Sequence, residues 1–183
     1  MLFRRSLIMC AVLAGTVGTS GAVLAAAASS AASVVLHKSE VPAGYALKSQ
    51  AYTNAGMQAL TKIPKAQFDQ HGRVTGLLEA FTKGSSAIES FASQYKSTSG
   101  AVWEYGKSVA ADLKSTKITS APKVGDRSTG YTATGTLKGV AVVEYGVDFQ
   151  KGDYNMTAQV IGPKGTVSLS SAVHYAKIMA GRA

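Results

Sequence analysis

The sequence predicts a domain of the α+β class, in which an antiparallel sheet is covered on one face by two or three helices to give two layers. Three observations support this class. Residues 140–161 alternate between apolar and polar side chains, residues 97–113 and 167–180 carry apolar side chains at helical spacing, and a short turn at 137–139 joins the alternating segment to a preceding strand. The sheet is therefore expected to contain a meander over 129–161 together with earlier strands.

Residues 140–161 are predicted to form a β-hairpin with one apolar and one polar face. The side chains of the apolar face are Val143, Tyr145, Val147, Phe149, Tyr154, Met156, Ala158 and Val160. Residues that lie opposite each other in an antiparallel pair share a face, because side chains alternate along a strand. Pairing Phe149 with Tyr154 places Val147 opposite Met156, and a slip of one residue would bring polar side chains into the apolar face. The other face is expected to meet water.

The segments before the hairpin are predicted in chain order. Residues 47–63 are expected to form a helix that Pro64 ends. Residues 73–82 and 87–95 are expected to be strands, with a helix as the alternative for the second of them. Residues 129–136 are expected to be the first strand of the meander.

Two amphipathic helices are predicted, one before the meander in the sequence and one after it. The first begins near residues 97–99, whose hydroxyls can cap a helix start. Its apolar stripe is Val102, Tyr105, Val109 and Leu113. An extended segment over 118–123 follows it. The last helix begins near Val167, with Ser168 as its cap and Gly181 at its C-terminal end. Its apolar stripe is Leu169, Ala172 or Val173, Ala176 and Met179 or Ala180.

The N-terminal residues have the parts of a secretory signal peptide. Residues 1–5 carry two arginines, residues 6–28 carry no charge, and small residues follow them. Cleavage is expected after Ala25, Ala27 or Ala32, so residues 1–32 are assigned to the signal peptide. The alternative is an uncleaved anchor, because the apolar run is about long enough to span a bilayer. The protein is therefore expected to be secreted or extracytoplasmic, or else anchored by its N-terminal helix.

The rest of the chain is predicted to consist of an extended leader over residues 33–46 and one α+β domain over 47–183. Cys10 is the only cysteine and lies in the signal peptide, so the exported domain is expected to fold without disulfides. The formal net charge is +9, and the lysines are scattered singly. This charge indicates either a solvated surface or attraction to anionic envelope material. The absence of a clustered basic stripe argues against nucleic acid as a partner.

Residues suited to catalysis or metal binding are few. The histidines are His37, His71 and His174, and no two of them stand at the helical spacing of metal ligands. No Gly-x-Ser-x-Gly motif is present. These observations predict a protein without a catalytic centre, a metal or a cofactor. The alternative is catalysis by Asp126 or Asp148 with a histidine that folding brings close.

The candidate ligand-binding residues are Asp126, Arg127, Tyr131 and Tyr145. The loop over 125–130 superficially resembles a phosphate-binding loop, but a strand follows it where such loops have a helix. Arg127 is the expected anion donor in this loop, with Tyr131 nearby. Tyr145 either lines a pocket between the sheet and the helices or belongs to the core. Gly146 interrupts its strand, which predicts a bulge or a close approach by another group.

A turn at Gly125 and Asp126, a hairpin turn containing Gly152 and a closing helix that ends at Arg182 resemble features of small bacterial secreted or lipid-anchored α+β domains of unknown function. These include the extracellular sensor domains of mycobacterial serine/threonine kinases. The resemblance covers about residues 88–182. The chain departs from that pattern because it lacks the disulfides of some such domains and a lipid-attachment cysteine. The resemblance implies binding or sensing in the envelope rather than catalysis, and it transfers no site residues.

The sequence thus favours an exported, non-enzymatic domain that binds a ligand or partner in the cell envelope or outside the cell. The expected partners are an anionic envelope component, a small molecule or an envelope protein, and contact with a membrane is expected only through an uncleaved anchor. Two alternatives stay open, namely a small extracytoplasmic hydrolase or transferase and a structural component of an envelope complex.

Overall fold

The computed structural model describes residues 30–112, 116–117 and 123–183, and within them the chain forms one seven-stranded antiparallel sheet. The strands are β1 (Ala46–Ala51), β2 (Arg73–Lys83), β3 (Ser86–Tyr95), β4 (Thr116–Lys117), β5 (Arg127–Leu137), β6 (Val140–Lys151) and β7 (Tyr154–Pro163). The helices are α1 (Asn54–Thr61), α2 (Lys65–Gln70), α3 (Thr98–Asp112) and α4 (Leu169–Ala180), with a 3-10 turn over Lys38–Glu40 and a helical turn over 30–34. The predicted signal peptide up to residue 29 and most of the predicted extended segment 118–123 lie outside the described residues.

The strands lie in the order β1-β2-β3-β7-β6-β5-β4, and every neighbouring pair is antiparallel. Strand β7 pairs with both β3 and β6, so the hairpin β2–β3 and the meander β5–β6–β7 join into one sheet through β3 and β7. This order confirms the strands predicted over 73–82 and 87–95 and the meander predicted over 129–161. The α+β class is confirmed.

The helices cover both faces of the sheet, which differs from the predicted two-layer arrangement. Helix α4 packs on β6 and β7, over the face whose buried side chains include Phe81, Ile88, Val147, Phe149 and Met156. Helices α1, α2 and α3 lie over the opposite face, with Met57, Phe68 and Trp103 against Leu78 and Phe91. The sequence predicts that this second face meets water, but helices cover it. The domain therefore has three layers.

The β6–β7 hairpin has the predicted faces in a different register. Phe149 pairs with Met156, and Lys151 pairs with Tyr154, whereas the sequence predicts Phe149 opposite Tyr154. The difference is two residues, which leaves every side chain on its predicted face. The reason is the turn, because the strands continue up to a two-residue loop over 152–153 whose first residue is a glycine with a φ of 55°.

Residues 47–63 form a strand and a helix instead of the single predicted helix. Strand β1 pairs with β2 from Ala46 to Ala51, and α1 begins only at Asn54. The Oγ1 atom of Thr53 caps α1 by accepting a hydrogen bond of 3.1 Å from the Gly56 N–H. The outer edge of β2 supplies backbone donors and acceptors to β1, and this gain outweighs the helical spacing of the alanines.

Helix α4 agrees with its prediction at both ends. The Ser168 Oγ accepts a hydrogen bond of 3.3 Å from the Ser171 N–H, and Gly181 follows the last helical residue. The buried residues are Ala172, Tyr175, Ala176, Met179 and Ala180. The apolar stripe of this helix therefore meets the apolar face of the sheet.

The segment predicted as an extended leader over 33–46 belongs in large part to the core. Val34, Val35 and Leu36 are each 1% exposed and pack in the cluster that α4 forms with the sheet. The Arg182 Nη1 donates a hydrogen bond of 2.8 Å to the Val35 carbonyl oxygen, and Arg182 forms an ion pair with Glu40. These three apolar residues are buried because they pack against the apolar side chains of α4 and the sheet, which removes their own apolar surface from water.

Candidate functional site

Helix α3 turns a stripe of small and polar residues toward the sheet. Its buried residues are Gly100, Ala101, Glu104 and Ser108. The predicted apolar stripe of Val102, Tyr105 and Val109 is only half-buried, and Leu113 lies outside the described residues. The physical reason is the polar character of the sheet face that α3 packs on, because polar side chains of a sheet are best covered by side chains that can hydrogen-bond to them.

A buried polar layer occupies the space between α3 and the second face of the sheet. It consists of Arg73, Glu89, Ser93, Glu104, Ser108, Glu144, Asp148, Gln150, Asn155 and Gln159, all of them at most 4% exposed. Four of these side chains are carboxylic acids, and one is a guanidinium. Charged side chains are rarely buried in such numbers unless they have a function or form many hydrogen bonds and ion pairs. The polar layer is therefore the candidate functional site.

One hydrogen-bonded chain runs across four strands in this layer. The Tyr131 hydroxyl on β5 donates to the Gln159 Oε1 on β7 at 2.7 Å, and the Gln159 Nε2 donates to the Glu89 Oε2 on β3. Tyr131 crosses β6 above Gly146, where a Cβ would stand 2.1 Å from the Tyr131 Cζ. The close approach predicted at Gly146 is thus confirmed, and the group that approaches this glycine is the Tyr131 ring.

Arg73 lies at the other side of the layer with most of its donors satisfied. Its Nε donates to the Ser93 Oγ at 3.0 Å, and its Nη1 donates to the Tyr52 carbonyl and the Asn54 Oδ1, each at 3.0 Å. Burial lowers the pKa of Arg73 from its ordinary value, and the negative charge of Glu104 opposes this effect. Glu104 itself accepts a hydrogen bond of 2.8 Å from the Tyr95 hydroxyl.

Three buried polar atoms of this face have no hydrogen-bond partner in the described part of the chain. They are the Tyr52 hydroxyl, the Arg73 Nη2 and the Asn155 Oδ1. Leaving such an atom unsatisfied costs about 1–3 kcal/mol. Buried groups of this kind are normally satisfied by water or by a ligand. The layer therefore offers both a donor and an acceptor to a small polar molecule.

Tyr52 should make the folded state sensitive to alkaline pH. Burial, with a smaller contribution from the charge of Glu89, raises the pKa of Tyr52 to about 12 from its ordinary value of 10.0. The unfolded chain therefore loses this proton first, and the stabilisation present below pH 10 should fall by roughly 2 kcal/mol as the pH rises toward 12. Replacement of Tyr52→Phe should remove the part of the decline that Tyr52 causes, as a comparison of thermal unfolding of the two proteins at pH 9, 10 and 11 would show.

The matched control for Tyr52→Phe is Tyr105→Phe. The Tyr105 hydroxyl forms a hydrogen bond of 2.8 Å with the Thr129 Oγ1, whereas the Tyr52 hydroxyl has no partner among the described residues. At pH 7, Tyr105→Phe should lower the free energy of unfolding by about 1 kcal/mol, and Tyr52→Phe should leave it unchanged or raise it. A larger loss for Tyr52→Phe would contradict the structure at this position.

The four ligand-binding residues predicted from the sequence do not converge. Asp126 accepts a hydrogen bond of 3.0 Å from the Gly152 N–H at a turn, and Arg127 is exposed at the start of β5. Tyr131 is buried in the polar layer, whereas Tyr145 is half-buried on the opposite face, against the core under α4. Tyr145 is thus a core residue, and Tyr131 is the member that lies in the candidate site.

The histidines make their described contacts away from Asp126 and Asp148. His37 bonds to the Ala32 carbonyl oxygen, and His71 stacks on Trp103 at 4.1 Å between ring centroids. Asp148 accepts a hydrogen bond of 2.5 Å from the Thr157 Oγ1.

Within residues 30–112, 116–117 and 123–183, no three His, Cys, Asp or Glu side chains are grouped to hold a metal ion. None of the helices described has the length and apolar character to cross a membrane.

The sequence does not predict that the acids and amides of the polar layer are buried, because their alternation also fits a solvated strand face. One signal was present in the sequence. From residue 144 to residue 159, this face of β6 and β7 carries Glu144, Gly146, Asp148, Gln150, Asn155, Thr157 and Gln159. They include no lysine, although the chain is rich in lysine and a solvated strand face commonly carries it. A strand face of acids and amides without lysine is a sign that another layer covers it.

The fold and the site together define an α+β domain with a buried polar layer between its sheet and one of its helices. No family model matches the chain, and no curated protein matches it. Among solved structures, the chain is similar to the extracellular domain of PknH from Mycobacterium tuberculosis, with a TM-score of 0.47 and 7% sequence identity. The likeness covers 85% of this chain and 96% of that chain. This neighbour is of the kind that the sequence resembles, and no residue role is transferred from it.

Proposed function

We propose that the protein is an exported, non-enzymatic domain of the cell envelope or the extracellular space, and that it binds a small polar ligand in the polar layer. The observation that carries the proposal is the buried, unpartnered Asn155 Oδ1 in a layer that holds four carboxylic acids and one guanidinium. Export is supported by the charge, apolar run and small residues of the first 32 positions.

The chemistry of the layer favours a ligand that carries hydrogen-bond donors and a positive charge. Asp148 pairs with Thr157 across β6 and β7, and Asn155 is two residues from Thr157 on the same face. Such diagonal neighbours are about 7–8 Å apart, so one small molecule bound in this layer would contact both side chains. Hydroxyl groups satisfy the amide oxygen of Asn155, and an ammonium group complements the carboxylate of Asp148. An amino sugar has both kinds of group.

The proposal is tested by titrating the protein with glucosamine, glucose and glucuronate while its amide resonances are followed by NMR. We expect glucosamine to bind most tightly and glucuronate most weakly, with the shifts concentrated around Asp148 and Asn155. Replacement of Asp148→Asn should weaken the binding of glucosamine at least about tenfold. If neither glucosamine nor glucose shifts these resonances at about 10 mM, this ligand class is excluded.

Asp126→Asn is the matched control, because Asp126 is an exposed aspartate outside the polar layer. It should leave the affinity for glucosamine unchanged. If Asp126→Asn abolishes binding while Asp148→Asn does not, the site is the turn that the sequence predicts, and the polar layer is structural.

The burial of acids also supports the proposed attraction to anionic envelope components. Glu89, Glu104, Glu144 and Asp148 are four of the ten acidic residues, and all four are buried. The solvated surface is therefore more basic than the formal net charge of +9 indicates. The exposed charges make the direct contacts with a partner, so the surface favours anionic partners even though the polar layer favours a cationic ligand.

A further inference from the structure

We propose that the signal sequence is removed after Ala27 and not after Ala32, so that the exported protein keeps residues 30–36 as part of its core. The inference rests on the proposed export of the protein. The sequence offers three cleavage points, after Ala25, Ala27 and Ala32. The contacts of the residues that follow Ala27 distinguish among them.

Four apolar side chains of this segment are buried as deeply as any in the domain. Ala31 is fully buried, and Val34, Val35 and Leu36 are each 1% exposed. All four belong to the cluster formed by α4 and the apolar face of the sheet. Residues 30–34 are helical, so Ala31 and Val34 stand on neighbouring turns of one face. Ala31 is thus a core residue that cleavage after Ala32 would remove.

The polar groups of the segment also form hydrogen bonds with the sheet. The Ser30 Oγ donates to the Gln94 Oε1 on β3, and the Tyr154 hydroxyl donates to the Ser30 carbonyl oxygen at 3.5 Å. Further along, the Leu36 N–H donates to the buried Ser90 Oγ at 3.1 Å. The segment therefore has hydrogen-bond partners at both of its ends.

Cleavage after Ala32 would remove Ser30 and Ala31 from these contacts. It would also create a charged amino group at Ser33, next to Val34, which is 1% exposed. Placing a charge beside a buried apolar side chain is unfavourable. Cleavage after Ala25 or Ala27 leaves the whole segment in place. Of these two, Ala27 has alanine both at the cleaved position and two residues before it, which is the A-x-A pattern of a signal peptide cleavage site.

The test is the N-terminal sequence and intact mass of the protein after the full-length precursor is expressed in an export-competent bacterium. We expect the exported protein to begin at Ala28. An exported protein that begins at Ser33 would overturn this inference and leave the proposed export intact. A precursor that keeps Met1 and stays in the cytoplasm would instead overturn the export on which both proposals rest.

A second measurement tests the structural reason. Chains that begin at Ala28 and at Ser33 should both be purified and compared by thermal unfolding. The shorter chain lacks Ser30 and Ala31, and its Tm should be lower by about 2–4 °C. Equal Tm values for the two chains would show that these residues do not contribute to the core, and the inference would fall.

Discussion

Replacement of Gly100→Ala should lower the free energy of unfolding by about 2–3 kcal/mol. Gly100 lies where α3 meets the loop after α2 and the end of β3. A Cβ at this position would stand 2.3 Å from the His71 carbonyl oxygen and 2.5 Å from the Tyr95 Cδ1. The backbone oxygen cannot rotate away, so α3 would have to move off the sheet. That movement would also weaken the hydrogen bond between Tyr95 and Glu104.

The same helix contains a matched control in Gly106. A Cβ at Gly106 meets nothing within 4 Å, so Gly106→Ala should raise the free energy of unfolding by about 0.5–1 kcal/mol. Urea denaturation of both variants measures the difference. Trp103, the only tryptophan, gives a local readout because it packs on Phe68 and His71, and its emission should shift to the red only in the Gly100 variant. Equal effects at the two glycines would contradict the observed position of α3.

Replacement of Arg73→Ala should lower the free energy of unfolding by about 3–5 kcal/mol. The side chain is 4% exposed and donates to three acceptors, on Ser93, Tyr52 and Asn54. Its removal leaves these acceptors without the donor and takes away a positive charge that interacts with Glu104. Arg73→Lys should recover only part of the loss, because an ammonium group lacks the planar arrangement of donors that reaches all three acceptors.

Arg127→Ala is the control for the charge, since Arg127 is exposed at the start of β5. Its effect should stay within about 0.5 kcal/mol, as for most surface substitutions. A double variant that combines Arg73→Ala with Glu104→Gln should be more stable than the sum of the two single effects, if the charges interact. Strict additivity, measured by urea denaturation, would show that Arg73 acts only through its three hydrogen bonds.

The class of the fold and most strands could be predicted from the sequence, because alternation and helical spacing are local properties of the chain. The β6–β7 hairpin shows the limit. Its faces follow from alternation alone, whereas its register depends on the loop at 152–153, and a shift of two residues changes no face. The sequence does not predict strand β1, because its exposed side chains carry no alternation and its stability comes from the edge of β2.

The candidate site was harder to predict because it depends on which layer covers which face. Tyr131 was recognised as a candidate, but Glu104, Asp148 and Asn155 have the residue types of a solvated surface. Only the packing of α3 buries them. The core position of Val34 to Leu36 could not be predicted for the same reason. Three apolar residues after a signal peptide do not show which side chains elsewhere in the fold will cover them.

The contact between Arg182 and the Val35 carbonyl oxygen has a topological consequence. It brings residues that are far apart in the sequence to one place on the domain, so the path from Val35 to Arg182 is nearly a closed ring. A short linker from Ala183 back to residue 30 would complete that ring, and the chain could then be opened at an exposed turn such as Lys138 and Gly139. Any sequence fused before residue 30 or after residue 183 would leave the domain from the same side, and the hairpin turns at the far end of the sheet would stay unobstructed.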